Sequence, residues 1–142
     1  MDKLSPSRAA ETDALKRTYA ALNRNDIAAT IEAFDPQIEW TDPGESPTDR
    51  TYRGLAAVET HFSQARGTWA EGSCEPVRFI TAGDKIIVFV DVRVRLKHET
   101  EWREGQLADV YTFRNGKVTQ ARSFVDRQQA LEWAGVEASD AT

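Results

Sequence analysis

The sequence predicts an α+β domain, with helices first, one strand among them, and an antiparallel sheet after. Two observations carry this. Apolar residues recur at helical spacing in stretches before Arg66, whereas from Cys74 onward they alternate with polar residues between turns. The sharpest of those turns is Asn115-Gly116, since both residues tolerate the positive φ of a type I′ hairpin.

In order, Leu15, Thr18, Tyr19 and Leu22 mark one face of a first helix over Pro6–Asn23. Asn23–Asp26 is a turn, and Asp26 suits the N-cap of a second helix. Ile27, Ile31 and Phe34 form that helix's expected stripe. Asp35-Pro36 should stop it, because the residue before proline is pushed out of helical geometry. Gln37–Asp42 reads as the first strand, and the polar stretch Pro43–Arg53 as a loop or lid. Gly54–Arg66 returns to helix, with Leu55, Val58 and Phe62 on one side. Strands follow at Cys74–Thr81, Ile86–Leu96, Trp102–Phe113 and Lys117–Val125, then a short helix over Arg127–Ala134. One domain spans residues 1–142, with flexible ends at about 1–10 and 136–142. Its helices should pack into the concave side of a strongly bent sheet, leaving a cone with a pocket at the open end.

Composition limits what this body does. A chain of 142 residues buries roughly 70% of its unfolded surface. A net charge of −5 argues against an obligate nucleic-acid binder, which needs a basic face. There is no apolar run of membrane-spanning length and no leader-like N-terminus. Cys74 is the only cysteine, which excludes an internal disulfide and fits a reducing compartment. The expected location is cytoplasmic.

Two aspartates stand out. Period 2 places Leu107, Asp109, Tyr111 and Phe113 on one strand face, so a carboxyl group is aimed at an apolar interior. The same parity aligns Ile38, Trp40 and Asp42. Buried carboxyls are costly unless paired or used. Asp42 is either a cavity-facing base or an Asx-turn before Pro43. Asp109 is either functional or a partner of Arg93 or Arg122. Asp126 is a candidate substrate contact and equally a helix N-cap. Trp40, Phe62, Tyr111 and Phe113 are candidate pocket walls, which in an open cone are also core. His61 and His98 lack a second ligand at metal spacing, so no metal site is expected.

The segments YAALNRNDIAATIEAF, IEWTDPG, ADVYTFRNGKV and SFVDRQQAL, in that order and spacing, resemble the SnoaL-like branch of the nuclear-transport-factor-2-like (ketosteroid-isomerase-like) superfamily. The resemblance covers about Ala14–Ala134. It implies a cone-shaped fold, a small hydrophobic ligand and a homodimer through the outer sheet face. In the ketosteroid isomerases a catalytic aspartate precedes a proline, as Asp42 precedes Pro43, and a protonated aspartate matches Asp109. Their helix-one tyrosine falls on Thr18, with Tyr19 one residue on. Limonene-type epoxide hydrolases have an Asp–Arg–Asp network. Asp126 matches one member, and Asp91-x-Arg93 stands with charges reversed where an Arg-x-Asp pair is expected.

The resulting expectation is a cofactor-independent enzyme that moves a proton on a hydrophobic carbonyl substrate, as an isomerase, cyclase or dehydratase. Asp42 would be the base and Asp109 the acid or oxyanion donor, with Trp40, Phe62, Tyr111, Phe113 and Asp126 around the substrate. The alternative is a ligand-binding or dimerisation module of the same fold without chemistry. On the second sheet strand, Val90, Val92, Val94 and Leu96 alternate with Asp91, Arg93 and Arg95, whose charges would pair across a two-fold axis.

Overall fold

Each turn signal in the sequence leaves the chain where a sheet edge or a helix needs it. The computed structural model describes residues 6–43 and 50–136. Its elements are α1 (Pro6–Asn23), α2 (Ile27–Thr30), β1 (Phe34–Asp42), β2 (Arg50–Arg53), α3 (Leu55–Gly67), β3 (Trp69–Ala82), β4 (Lys85–Leu96), β5 (Arg103–Arg114), β6 (Lys117–Phe124) and α4 (Arg127–Trp133). The strands form one curled sheet in the order β2-β1-β6-β5-β4-β3. Only β1 and β6 run parallel; every other pair is antiparallel. The four-stranded meander expected from Cys74 onward is present as β3–β6. Asn115 and Gly116 close its last hairpin with φ of 53° and 79°.

Helix α1 ends because Asn25 adopts φ 61°. The amide of Asp26 then reaches the Ala21 carbonyl, and that of Asn25 the Leu22 carbonyl, which is a Schellman stop. Asp26 turns at once to cap α2, accepting from the amide of Ala29. Helix α2 lasts only one turn, and Phe34 belongs to β1 rather than to a helical stripe. Its ring stacks on Trp40 at 6.2 Å and meets Phe62 edge-on at 6.0 Å. Phe34 also pairs with Val118 on β6, and that sheet pairing wins over helical continuation. The expected loop over Pro43–Arg53 holds a strand at its end, since Arg50–Arg53 pairs with Asp42–Glu39. Residues 44–49 lie outside the described residues.

At its centre the sheet is buried on both faces. Consecutive residues Ile86–Val90 of β4 are all buried. Ile86, Val88 and Val90 join Leu15, Tyr19, Ile38, Trp40, Val58, Phe62 and Tyr111 in the core under α1–α3. Ile87 and Phe89 join Ala108, Val110 and Leu131 in a second core beneath α4. Val136, expected in the flexible end, is buried in that second core, with its amide on the Leu131 carbonyl. At the other end α1 begins at Pro6, so residues 6–10 are helical. Among the described residues no helix is long and apolar enough to cross a membrane.

Candidate functional site

Two aspartates from strands far apart in sequence face one cavity of about 190 Å³ on the concave side of the sheet. Trp40, Phe62, Trp69, Leu107 and Tyr111 form much of its wall. Tyr19, Asp42, His61 and Asp109 supply polar groups. A larger groove of about 620 Å³ lies outside it by α1, α2 and the β5–β6 turn; Arg17, Glu32 and Lys117 there are exposed to water, and Glu11 is paired with Arg8.

Asp109 sits at mid-strand on β5, between Val88 of β4 and Ser123 of β6, and is 5% exposed. Pleating sends its neighbours Ala108 and Val110 to the outer core and Asp109 inward. Tyr19 Oη donates to Asp109 Oδ2 at 2.5 Å and lies 2.7 Å from Tyr111 Oη. Neither Arg93 nor Arg122 is its hydrogen-bond partner; a phenol is. Burial pushes the Asp109 carboxyl above its usual range. The hydroxyls of Tyr19, Ser123 and Tyr111 pull the other way, and the charge of Asp42 adds to the rise. Burial, then the Asp109 charge, holds both phenols well above their ordinary value, so they stay protonated. Asp109 Oδ1 is buried without a hydrogen bond of normal geometry among the described residues.

Counting protons shows what this chain of hydroxyls can do. With Asp109 ionised, the Tyr19 hydroxyl donates to the carboxylate and the Tyr111 hydroxyl to Tyr19, so neither phenol has a donor left for a ligand. With Asp109 neutral, the network holds one further proton. It is presented by Oδ1, or by Tyr111 if the chain of bonds reverses. The neutral form donates to a ligand oxygen; the ionised form does not.

Asp42 ends β1 in the opposite situation. Trp40 Nε1 donates to Oδ1 at 2.7 Å, and His61 Nε2 lies 2.6 Å from Oδ2. Burial alone raises the Asp42 carboxyl. Hydrogen bonds from His61 and Trp40, with the charge of Arg50 and that of His61 when it is protonated, outweigh it and leave the group below its ordinary value. The His61 ring stacks on Tyr52 of β2, centroids 3.9 Å apart and 12° from parallel. The surroundings of the cavity therefore push one carboxyl towards its neutral form and the other towards its ionised form.

Of the predicted site residues, Trp40, Asp42, Phe62, Asp109 and Tyr111 line this cavity together. Phe113 is buried in the inner core away from the cavity lining. Asp126 is outside as well: its carboxylate caps α4, accepting from the amides of Gln128 and Gln129. Asp91 is exposed and pairs with Arg127, while Arg93 pairs with Glu104 and stacks on Trp102. No Asp–Arg–Asp network forms from them. Arg95 pairs with Glu71, so the charges expected to bridge a two-fold axis are satisfied within the chain.

Sequence reasoning passed over two residues. Tyr19, one position from the place the resemblance marked, reaches Asp109 all the same. His61 was weighed only as a metal ligand, and its partner is a carboxylate on another strand. Helical spacing held the signal for both. Tyr19 shares the stripe of Leu15 and Leu22, and His61 stands at i+3 from Val58. The Cys74 thiol also lines the cavity but is pushed up to about 12, by burial first, so it is not a reactive thiolate.

Comparison with known proteins decides the family. Residues 15–121 match the profile of the SnoaL-like domain. The chain belongs to the SnoaL-like family. A relative, an uncharacterized protein of Mycobacterium tuberculosis, is 28% identical over 88% of this chain and 97% of its own. Among solved structures, a putative SnoaL-like polyketide cyclase from Jannaschia superposes with a TM-score of 0.77 at 12% identity, covering 94% of this chain and 96% of that one. TerC, co-crystallised with polyporic acid, superposes with a TM-score of 0.71 at 22% identity, covering 89% and 98%. The SnoaL-like fold seen here is the nuclear-transport-factor-2-like, ketosteroid-isomerase-like cone.

Proposed function

We propose that this protein is a cofactor-independent enzyme that transfers a proton on a small hydrophobic carbonyl compound, as an isomerase, cyclase or dehydratase. The observation that carries the reading is the opposed state of two carboxyls in one apolar cavity: Asp109 is pushed up and Asp42 pulled down. Groups whose environments drive their proton affinities apart divide into acid and base. The Asp42 wall takes a proton from the carbon beside the carbonyl. The neutral Asp109 network donates a hydrogen bond to the oxygen where charge develops. Trp40, Phe62 and Tyr111 exclude water, which strengthens that hydrogen bond.

Cavity size narrows the substrate. About 190 Å³ is below the roughly 300–1,000 Å³ of sites for drug-sized ligands, which favours a small substrate. TerC, of the same fold, was co-crystallised with polyporic acid, which supports a small-molecule ligand here. A homodimer through the outer sheet face belongs to the same reading, and a monomeric mass by light scattering at micromolar concentration would remove that part.

The test is deuterium exchange beside the carbonyl of β-tetralone, a two-ring ketone, followed by NMR in heavy water. Exchange faster than with the same concentration of free imidazole, and slower in Asp109→Leu, is expected. A rate equal to that of free imidazole would overturn the assignment.

A further inference from the structure

We infer that the proton acceptor of this cavity is Nδ1 of His61, and that Asp42 is the positioning residue that holds the imidazole. The inference rests on the proton-transfer reading above and names which atom takes the proton. Both oxygens of Asp42 are engaged, Oδ1 by the indole of Trp40 and Oδ2 by His61 Nε2. Those contacts stabilise the charged carboxylate and so make Asp42 a poorer proton acceptor than a bare one. An ionised carboxylate accepts only, so the nitrogen facing it carries hydrogen. That fixes the tautomer: Nε2 is protonated, and the lone pair of the neutral ring is on Nδ1. Nδ1 has no hydrogen-bond partner among the described residues.

Position agrees with this role. His61 lines the cavity, and its side chain keeps 17% of its exposure, enough for contact with a ligand. Stacking on Tyr52 from β2 fixes the plane of the ring on one side, and Phe62 approaches its edge region at 5.9 Å. The ionisable groups that line the cavity with it are Asp42 from β1, Asp109 and Tyr111 from β5, Tyr19 from α1, Cys74 from β3 and Arg66 from its own helix. In the step itself, the carbon–hydrogen bond beside the carbonyl breaks and its proton moves to Nδ1. The freed electron pair forms the enolate double bond, and the carbonyl oxygen gains charge under the Asp109 network. The imidazolium then returns the proton to the same or a neighbouring carbon, and no further reactant is consumed.

The experiment compares wild type, His61→Gln and Asp42→Asn in β-tetralone exchange across pH, with near-ultraviolet circular dichroism to verify folding. His61→Gln should lose about 100-fold or more, the scale of a general base. Asp42→Asn should keep a measurable fraction, with the midpoint of its rate profile moved to more acid pH because an amide does not stabilise the imidazolium. The nitrogen-15 shifts of His61 in wild type should show Nε2 protonated and Nδ1 bare at alkaline pH; the opposite tautomer overturns the inference without requiring any variant to fold. Full activity in His61→Gln, or background activity in Asp42→Asn beside retained activity in His61→Gln, makes Asp42 itself the base and overturns this inference alone. Wild-type exchange no faster than free imidazole overturns it together with the functional reading on which it rests.

Discussion

Asp42 and Asp109 are the same chemical group at two walls of one cavity, and their surroundings treat them in opposite ways. Asp42 lies at a strand end, partly exposed, with an indole donating to one oxygen and an imidazole nitrogen 2.6 Å from the other. Asp109 lies at mid-strand on a face made of apolar residues, with phenols as partners and one oxygen unsatisfied. Burial raises both groups; the donors decide the net direction. Strand position therefore matters as much as residue type. A strand end lets side chains from β2 and α3 converge on a carboxylate, whereas mid-strand Asp109 meets hydroxyls from the opposing helix and from its own sheet face.

The comparison is hardest on Trp40, which serves both walls: it donates to Asp42 and packs against Tyr111 at 6.1 Å. Trp40→Ala should cost about 3–5 kcal/mol in urea unfolding, the range for truncating a buried aromatic. A loss of under about 1 kcal/mol would mean that the walls are energetically separate. Tyr19→Phe should cost about 1–3 kcal/mol, because it leaves a buried carboxyl oxygen without its donor. It should also move Asp109 still higher, since the Tyr19 hydroxyl is the largest influence pulling it down; carbon-13 NMR of the carboxyl would show this, and a fall would refute it.

Opposite shifts make opposite pH dependences. Asp42, held low, contributes stability above the unfolded carboxylate value of about 4, and this is lost as pH falls through its lower folded value. Asp109, held high, contributes below that unfolded value, and this is lost as pH rises through its raised one. Asp42→Asn should flatten the acid side of Tm against pH, and Asp109→Asn the rise-of-pH side; calorimetry reads both. The smallest effect belongs to a third carboxylate outside the cavity. Asp126→Ala should cost about 1 kcal/mol as a lost helix cap, with β-tetralone exchange unchanged.

How far these features were legible depends on whether their causes are local. Strand parity put Trp40, Asp42, Asp109 and Tyr111 on inward faces, and the Asn115-Gly116 turn fixed the register of the last hairpin. Phe34 was misassigned because its spacing from Ile27 and Ile31 fits a helix, while the pairing that claims it is with Val118, far along the chain. Arg50–Arg53 looked like loop because an edge strand with one bonded neighbour needs little apolar patterning. The link between His61 and Asp42 spans two elements, and no local spacing encodes it.

One side chain has a bearing on solubility. Strand β3 is a 14-residue edge of the sheet, long enough to template a strand from another molecule. Asn23, at the end of α1, spends its amide on both outward backbone groups of Cys74: Nδ2 donates to the carbonyl at 3.0 Å, and Oδ1 accepts from the amide at 2.8 Å. Two residues further, at the next outward position, Pro76 has no amide hydrogen to offer. An incoming strand would find the middle of this edge already occupied and then missing a donor, so the fold carries its own guard against open-ended β-aggregation.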